Sequence, residues 1–235
     1  MRYFIWLFYK IPSNLFFTIS IAVPTVWPLA EASDILFFQT LIQKSINFVR
    51  GFPVSQIHVS SDEKADSEIT LRRQNLLREQ GSLQKLLSIV NTLIPISEAT
   101  DITVSEKDKR TSKTEDFQDL LKMGSKVLNQ CFQLMYCCIK GNSQNQLYVA
   151  DFMPVLLKHL GEQEHASNCV TEMLNTNMEL QEEKIKRREI LIFIEKLRRS
   201  KMNAKYLRLV QACCSCMDNG VDGNQVKTQH TVKSI

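Results

Sequence analysis

The chain has 235 residues and a formal net charge of +4, from 29 basic and 25 acidic side chains. Hydrophobic residues make up 44% and charged residues 23%, which is typical of a globular domain. So small an excess of positive charge does not indicate nucleic acid as a partner. Only 7 Gly and 6 Pro are present, and long segments of good helix formers lie between them, so the composition favours an all-α fold.

Residues 1–33 are an apolar lead-in. Arg2 and Lys10 precede an uncharged run over residues 11–30, which closes with a small-x-small sequence. This pattern is compatible with a signal peptide or a membrane anchor. Three prolines interrupt the run, and each removes a hydrogen-bond donor and kinks a helix, so we favour an irregular apolar segment or an atypical start to the chain. The three are Pro12, Pro24 and Pro28.

Apolar residues spaced three and four apart predict three amphipathic helices in the first part of the chain. The first begins at Ser33 and stops at Gly51. The second is predicted to be capped by Ser67 and to break at Gly81, and the third to end at Pro95. We expect these helices to bury their apolar faces on one another.

A second set of helices follows a polar stretch. Residues 97–113 have too little apolar surface to order themselves and are predicted to form a disordered loop. A long helix follows over residues 115–140, and Gly141 caps it. The helical domain is predicted to span residues 34–223, with a polar tail over 224–235. Further helices are predicted at 145–152, 153–160, 166–177, 179–185, 188–200 and 204–219.

The lengths and connections of these helices indicate the fold class. Helices of 8 to 20 residues in antiparallel pairs, without a strict sequence repeat, predict an all-α, armadillo-like α-solenoid. A plain helical bundle is the alternative. The residues at the centres of the apolar stripes are predicted to form the core: Leu128, Leu134, Leu156, Leu174, Ile194 and Leu209.

The chain shows no motif of an enzyme or a metal site. Its four histidines lie apart, and no phosphate-binding Gly-rich loop or nucleophile elbow occurs. The odd count of 7 Cys indicates a reducing compartment. Cys213, Cys214 and Cys216 lack a second ligand pair for zinc, so we expect thiols packed as small apolar residues. The sequence predicts a non-enzymatic protein without cofactor or metal.

Two basic runs border one predicted helix. Residues 184–188 precede it and residues 198–201 end it. Such runs bind acidic lipids or acidic partners in some proteins, but they are more often a solvated helix face. Arg198 and Arg199 also complement the dipole at the C-terminus of the helix, which gives them a structural role.

Four segments resemble, in the same order, the armadillo-like homology domain (RIH domain) of inositol trisphosphate receptors and ryanodine receptors. The first is RRQNLLREQGSLQKLL at Arg72–Leu87, which is similar to the segment that opens the domain. The second is GNSQNQLYVADFMPVLLKHLG at Gly141–Gly161, which resembles the Asn-Gln helix of the family. Segments Ala166–Ile185 and Ile192–Gln225 resemble its later turns and its last helical pair.

The resemblance implies a scaffold or regulatory module in the cytoplasmic part of a tetrameric calcium-release channel. Its partners would be other domains or subunits of that channel, at the cytosolic face of the endoplasmic reticulum membrane. A free-standing armadillo-like adaptor that binds a protein partner is the alternative. These two functions differ in whether the domain acts inside a channel or alone.

The resemblance also implies where a ligand would bind. The basic residues with which inositol trisphosphate receptors hold their ligand fall here on six positions, and Arg78 is the one that is still basic. We therefore expect Arg78 to be the one ligand-binding candidate and inositol trisphosphate binding to be weak or absent. The six positions are Leu71, Asn75, Arg78, Asn142, Ser143 and Gln144.

Overall fold

Apolar residues that recur with the helical period favour helices. The computed structural model places these helices close to the predicted positions. It describes residues 32–51, 63–98, 112–161, 163–200 and 203–233. Most of the apolar lead-in and of the predicted loop lie outside these residues. The helices are α1 Ala32–Arg50, α2 Glu63–Glu79, α3 Ser82–Glu98, α4 Ser112–Ile139, α5 Ser143–Ala150, α6 Met153–Lys158, α7 Glu164–Thr176, α8 Met178–Lys184, α9 Arg187–Arg199, α10 Ala204–Cys214 and α11 Asp222–Lys233.

The chain divides into two compact units, Met1–Met135 and Tyr136–Ile235, with the boundary inside α4. In the first unit α2 packs against both α1 and α3. Ile46 of α1 and Leu83 and Leu87 of α3 are almost fully buried. Gly81, with φ of +69°, makes the turn between α2 and α3, since glycine adopts this left-handed conformation without a steric penalty.

Two predicted helix boundaries in this unit were wrong. The second helix begins at Glu63, so Ser67 lies inside it and does not cap it. The third helix continues to Glu98, so Pro95 does not end it. A proline removes one hydrogen-bond donor, but its own φ near −65° is helical, and the residues after it can remain in the helix.

The second unit is a stack of short helices. Helix α7 packs against α5, α6, α8 and α10, and α8 also contacts α5 and α11. Helix α9 lies against α10 and α11.

All six predicted core residues of the chain are buried, which confirms the predicted helix phases: Leu128, Leu134, Leu156, Leu174, Ile194 and Leu209.

The end of this unit differs from the prediction in two ways. Helix α10 stops at Cys214, and a small hairpin of β1 Ser215–Cys216 and β2 Asn219–Gly220 follows where helix was predicted. Met217 and Asp218 have φ of 48° and 63°, the conformation of a two-residue hairpin turn. The predicted polar tail is instead α11, which buries Asn224 and Thr231 against its neighbours.

The all-α fold class is confirmed. Within the described residues, strand is limited to this two-residue pair, and every other regular element is a helix. Helices joined by short turns, which contact helices close to them in the chain, fit an armadillo-like domain.

Candidate functional site

The first group of predicted ligand positions lies on one face of α2. Leu71, Asn75 and Arg78 are spaced four and three residues apart, so the turns of the helix bring them together. Leu71 is 40% exposed, and the other two are half-buried. The face that would carry a basic site therefore presents one apolar, one amide and one guanidinium side chain.

The two other arginines of this helix have structural contacts. Arg72 forms an ion pair with Glu68 at 2.6 Å, one turn earlier on the exposed side of the helix. Arg73 lies over the ring of Phe48, with its guanidinium carbon 5.5 Å from the ring centroid. These contacts stabilise α2 and its packing on α1, and they direct both cations toward groups of the protein.

The second group of positions lies at the N-terminus of α5, on its cap and first two residues. Ser143 and Gln144 are exposed, but Asn142 is only 2% exposed. Its side-chain oxygen accepts a hydrogen bond from the Asn145 N–H at 3.1 Å and so caps the start of α5. Asn142 is therefore a structural residue, and only two of these three positions face solvent.

The C-terminal end of α7 and its C-cap hold the turn between α4 and α5 in place. The Gly141 N–H donates to the carboxylate of Glu172 at 2.9 Å. The Asn177 side chain donates to the Ser143 carbonyl at 3.3 Å. Because both bonds come from residues more than thirty positions further along the chain, the turn is fixed by tertiary contacts as well as by its own cap.

Side-chain amides also bind carbonyls at the end of α4. The last four carbonyls of a helix have no partner within it, and buried ones need another donor. Asn145 donates to the Cys138 carbonyl at 2.8 Å. Gln146 donates to the Ile139 carbonyl at 3.0 Å and to the Thr176 hydroxyl at 2.8 Å. The Asn-Gln pair of α5 thus joins α4, α5 and α7.

Gln181 has the same role at the end of α7 and is fully buried. Its Nε2 lies within hydrogen-bond distance of three carbonyls, those of Leu174, Ala212 and Ser215. One amide therefore joins α7, α8, α10 and the hairpin. An amide has only two N–H donors, so one of them is shared between two carbonyls.

The Gln181 amide continues into a second buried amide. Asn224 of α11 donates to the Gln181 side-chain oxygen at 3.2 Å. The Nζ of Lys227 donates to the Asn224 side-chain oxygen at 2.9 Å and to the Ile185 carbonyl at 3.2 Å. This network is satisfied at each of these groups, so it stabilises one arrangement of the last helices.

Sequence analysis missed these amide contacts, although a signal was present. Asn142 and Gln146 reappear 35 positions later as Asn177 and Gln181, in both cases as the cap of a short helix and the residue four positions after it. The second cap is the Asn177 side chain, which accepts from the Leu180 N–H at 3.0 Å. The repeated pair of Asn and Gln indicates that the junction between α4 and α5 and the junction between α7 and α8 are equivalent.

The cysteines do not form a metal centre in the part of the chain that the structure describes, where no group of three His, Cys, Asp or Glu side chains is placed to hold an ion. Cys213 and Cys216 are buried and Cys214 is half-buried, as expected for thiols packed among apolar groups. Burial raises the pKa of the Cys131, Cys138, Cys169, Cys213 and Cys216 thiols. Such thiols are unreactive because the thiolate is the nucleophile.

The two basic runs border α9 as predicted. Arg187 and Arg188 are exposed at its start, and Arg198 and Arg199 are exposed in its last turn, where they complement the helix dipole. Lys184 forms an ion pair with Asp151 at 2.8 Å. Lys184 therefore has a local partner, and the second run complements the dipole of α9.

A comparison with protein-family models identifies the chain. Residues 39–230 match the model of the RIH domain of ryanodine and inositol trisphosphate receptors, which is well over half of the chain. Among the described helices, none is long and apolar enough to cross a bilayer. The matched range includes the face of α2, the turn before α5 and the buried amide junctions. The chain belongs to the RIH-domain family of ryanodine and inositol trisphosphate receptors.

Proposed function

We propose that the chain is a non-enzymatic scaffold or regulatory module of an intracellular calcium-release channel, at the cytosolic face of the endoplasmic reticulum membrane. The family match over residues 39–230 is the observation that carries this proposal. Its partners would be other domains or subunits of that channel. The module acts by packing against them and contributes no chemistry of its own.

The geometry of the second unit supports a scaffold role. Its buried polar groups, above all Gln181 and Asn224, are used to join helices to one another. Buried and satisfied amides favour a single rigid arrangement, which a module that transmits force or position between domains needs. The polar groups at these junctions thus have a structural role that requires no ligand.

The positions that the resemblance assigns to a phosphorylated ligand support a module that does not bind inositol trisphosphate. Five of the six carry no positive charge, and Arg78 is the exception. Hydrogen bonds between charged groups are roughly twice as strong as neutral ones, so these substitutions remove most of the energy of a polyanion site. We propose Arg78 as the remaining ligand-contacting residue and weak or absent binding as its consequence.

A chimeric channel tests the proposed function. Residues 39–230 replace the RIH domain of an inositol trisphosphate receptor in cells that lack other such receptors. We expect tetramers in the endoplasmic reticulum, measured by native electrophoresis and microscopy, with calcium release by inositol trisphosphate lost. A Gln181→Ala chimera is the matched control and should fail to assemble.

A chimera that folds but stays out of channel tetramers would contradict the proposal. The adaptor alternative would then gain support if the isolated chain bound a defined protein outside any channel.

A further inference from the structure

The hairpin between α10 and α11 lengthens a repeated helix junction. Gln146 and Gln181 each donate to a carbonyl 7 positions earlier, at the end of the preceding helix. Gln225 makes the corresponding bond to the Cys214 carbonyl, but over 11 positions. The additional residues of this third junction form the strands β1 and β2. The hairpin is therefore an addition to a junction that is made elsewhere in the unit without it.

Hydrogen bonds fix the base of the hairpin to the rest of the second unit. Gln181 of α8 donates to the Ser215 carbonyl at 3.0 Å. The Met217 N–H donates to the Asn175 carbonyl at the end of α7, also at 3.0 Å. Cys216, between these two residues, is buried. Because these contacts hold the hairpin in one position, a partner that binds it does not have to order it first.

The tip of the hairpin, Met217 and Asp218, combines a disfavoured backbone with exposed apolar surface. The two residues have φ of 48° and 63°, a conformation that is costly for residues other than glycine and that usually selects Asn-Gly in such a turn. Met217 is 65% exposed, more than any other large hydrophobic residue in the described part of the chain. Strained backbone is concentrated at functional sites, so the tip is a candidate contact surface.

The segments that hold the hairpin are acidic. Asp218 and Asp222 lie on the hairpin and at the start of α11, and Glu179 is exposed on the adjacent α8. The two segments that contact each other here, residues 166–183 and 211–226, contain no lysine, arginine or histidine. The exposed methionine therefore lies in a region of negative charge, which favours a basic partner.

The basic residues that border these two segments in the sequence do not cancel this charge at the tip. Lys184 donates to Asp151 at 2.8 Å, and Lys227 donates to Asn224 at 2.9 Å. Arg208 lies earlier on α10, before the part that leads into the hairpin. The first turn of α7 carries a histidine, but the hairpin is bonded to the opposite end of that helix.

We propose that the hairpin tip is a docking site for a basic amphipathic helix of a partner protein. The apolar face of such a helix covers Met217, whose flexible thioether adapts to irregular apolar surfaces. Lysine and arginine side chains at the border of that face meet Asp218 and the neighbouring acids. The inference goes beyond the proposed function, because it names one surface and one class of partner and does not require the partner to be part of a channel.

Methionine-methyl NMR of the full chain tests the proposal, with a synthetic amphipathic helix of Leu and Lys as the probe and one of Leu and Glu as the control. Met217→Asn removes the apolar side chain and introduces a residue that adopts positive φ more readily, so the chain should remain folded. Met217→Leu keeps an apolar side chain at the same position. Asp218→Asn removes one charge. Circular dichroism confirms folding, and fluorescence anisotropy of the labelled peptide gives the affinity of each variant.

We expect the Met217 methyl signal to shift with the Leu-Lys peptide and not with the Leu-Glu peptide. Met217→Asn should lower the affinity at least about tenfold, Met217→Leu less than about threefold, and Asp218→Asn about two- to fivefold. Three results would overturn the proposal: no binding of the Leu-Lys peptide, binding that leaves the Met217 methyl signal unchanged, or equal affinity for wild type and Met217→Asn. None of them involves channel assembly, so failure here is separate from failure of the proposed function.

Discussion

The junction between α7 and α8 and the exposed face of α2 use their polar residues in opposite ways. At the junction, Gln181 and Asn177 are buried and bonded to backbone groups of neighbouring helices. On α2, Leu71 and Arg72 face solvent, and the ion pair of Arg72 with Glu68 is local. The buried contacts at the junction explain why a resemblance in sequence predicts the fold. The exposed face of α2 supports the proposal that the chain keeps the fold of the family without binding its ligand.

The junction should be far more sensitive to mutation than the face. Replacing Gln181 by Ala removes the donor to three carbonyls and one of the two acceptors of the Asn224 amide, and each unsatisfied buried group costs about 1 to 3 kcal/mol. We expect the free energy of unfolding to fall by about 3 to 5 kcal/mol in urea titrations. Gln225→Ala removes one exposed bond to the Cys214 carbonyl and should cost less than about 1 kcal/mol.

Equal losses for the two glutamine variants would contradict the difference between a buried junction and an exposed contact. The comparison uses the same residue type and the same replacement, so side-chain entropy and helix propensity largely cancel.

Glycine turns in the second unit should give the next largest effect. Gly161 has φ of +93°, and a Cβ there would overlap the hydroxyl of Tyr206. Gly141 also has a positive φ, but a Cβ there meets open space. We expect Gly161→Ala to destabilise by about 2 to 3 kcal/mol and Gly141→Ala by about 1 kcal/mol in thermal unfolding. A smaller loss for Gly161→Ala than for Gly141→Ala would show that Tyr206 does not pack on this turn.

Changes on the face of α2 should be almost neutral for stability. Leu71→Ala and Asn75→Ala remove side chains that are exposed or half-buried, so we expect changes within about 0.5 kcal/mol. Leu77, which is 6% exposed on the same helix, is the control, and Leu77→Ala should cost about 2 to 5 kcal/mol. If Leu71→Ala cost as much as Leu77→Ala, the face would be part of the core.

The ion pair between Lys184 and Asp151 should have the smallest effect. The hydrogen bond and the charge of Asp151 raise the pKa of the Lys184 ammonium. Any stability from the pair is therefore present below the ordinary lysine pKa and is lost as pH rises through the raised value. Both side chains are exposed, so Lys184→Met should leave the urea midpoint at pH 7 unchanged. A clear drop in the midpoint would show that the pair joins α8 to the residue after α5.

Apolar periodicity was enough to predict the fold class and the core, because the buried faces of Leu156, Leu174 and Leu209 follow the helical period. Helix ends were less predictable. Ser67 and Pro95 carry the usual signals of a start and a stop, yet both helices continue past them.

The candidate site was predicted only in part. Spacing places Leu71, Asn75 and Arg78 on one face, since that depends on a single helix. The contacts of Gln181 with Ala212 and Asn224 join residues 31 and 43 positions apart, and local patterns hold no information about such pairs. The contact between Glu172 and Gly141, also 31 positions apart, was unpredictable for the same reason.

We propose that this RIH domain keeps the scaffold without the ligand site, and titration calorimetry of the folded chain with inositol trisphosphate at low salt measures that binding itself. Each lost charged hydrogen bond removes about 1.5 to 3 kcal/mol, and a micromolar site needs only about 8 kcal/mol. We predict no measurable heat of binding from a chain whose circular dichroism spectrum is helical. Sub-micromolar binding that disappears in Arg78→Ala would contradict the account and identify the chain as a ligand sensor.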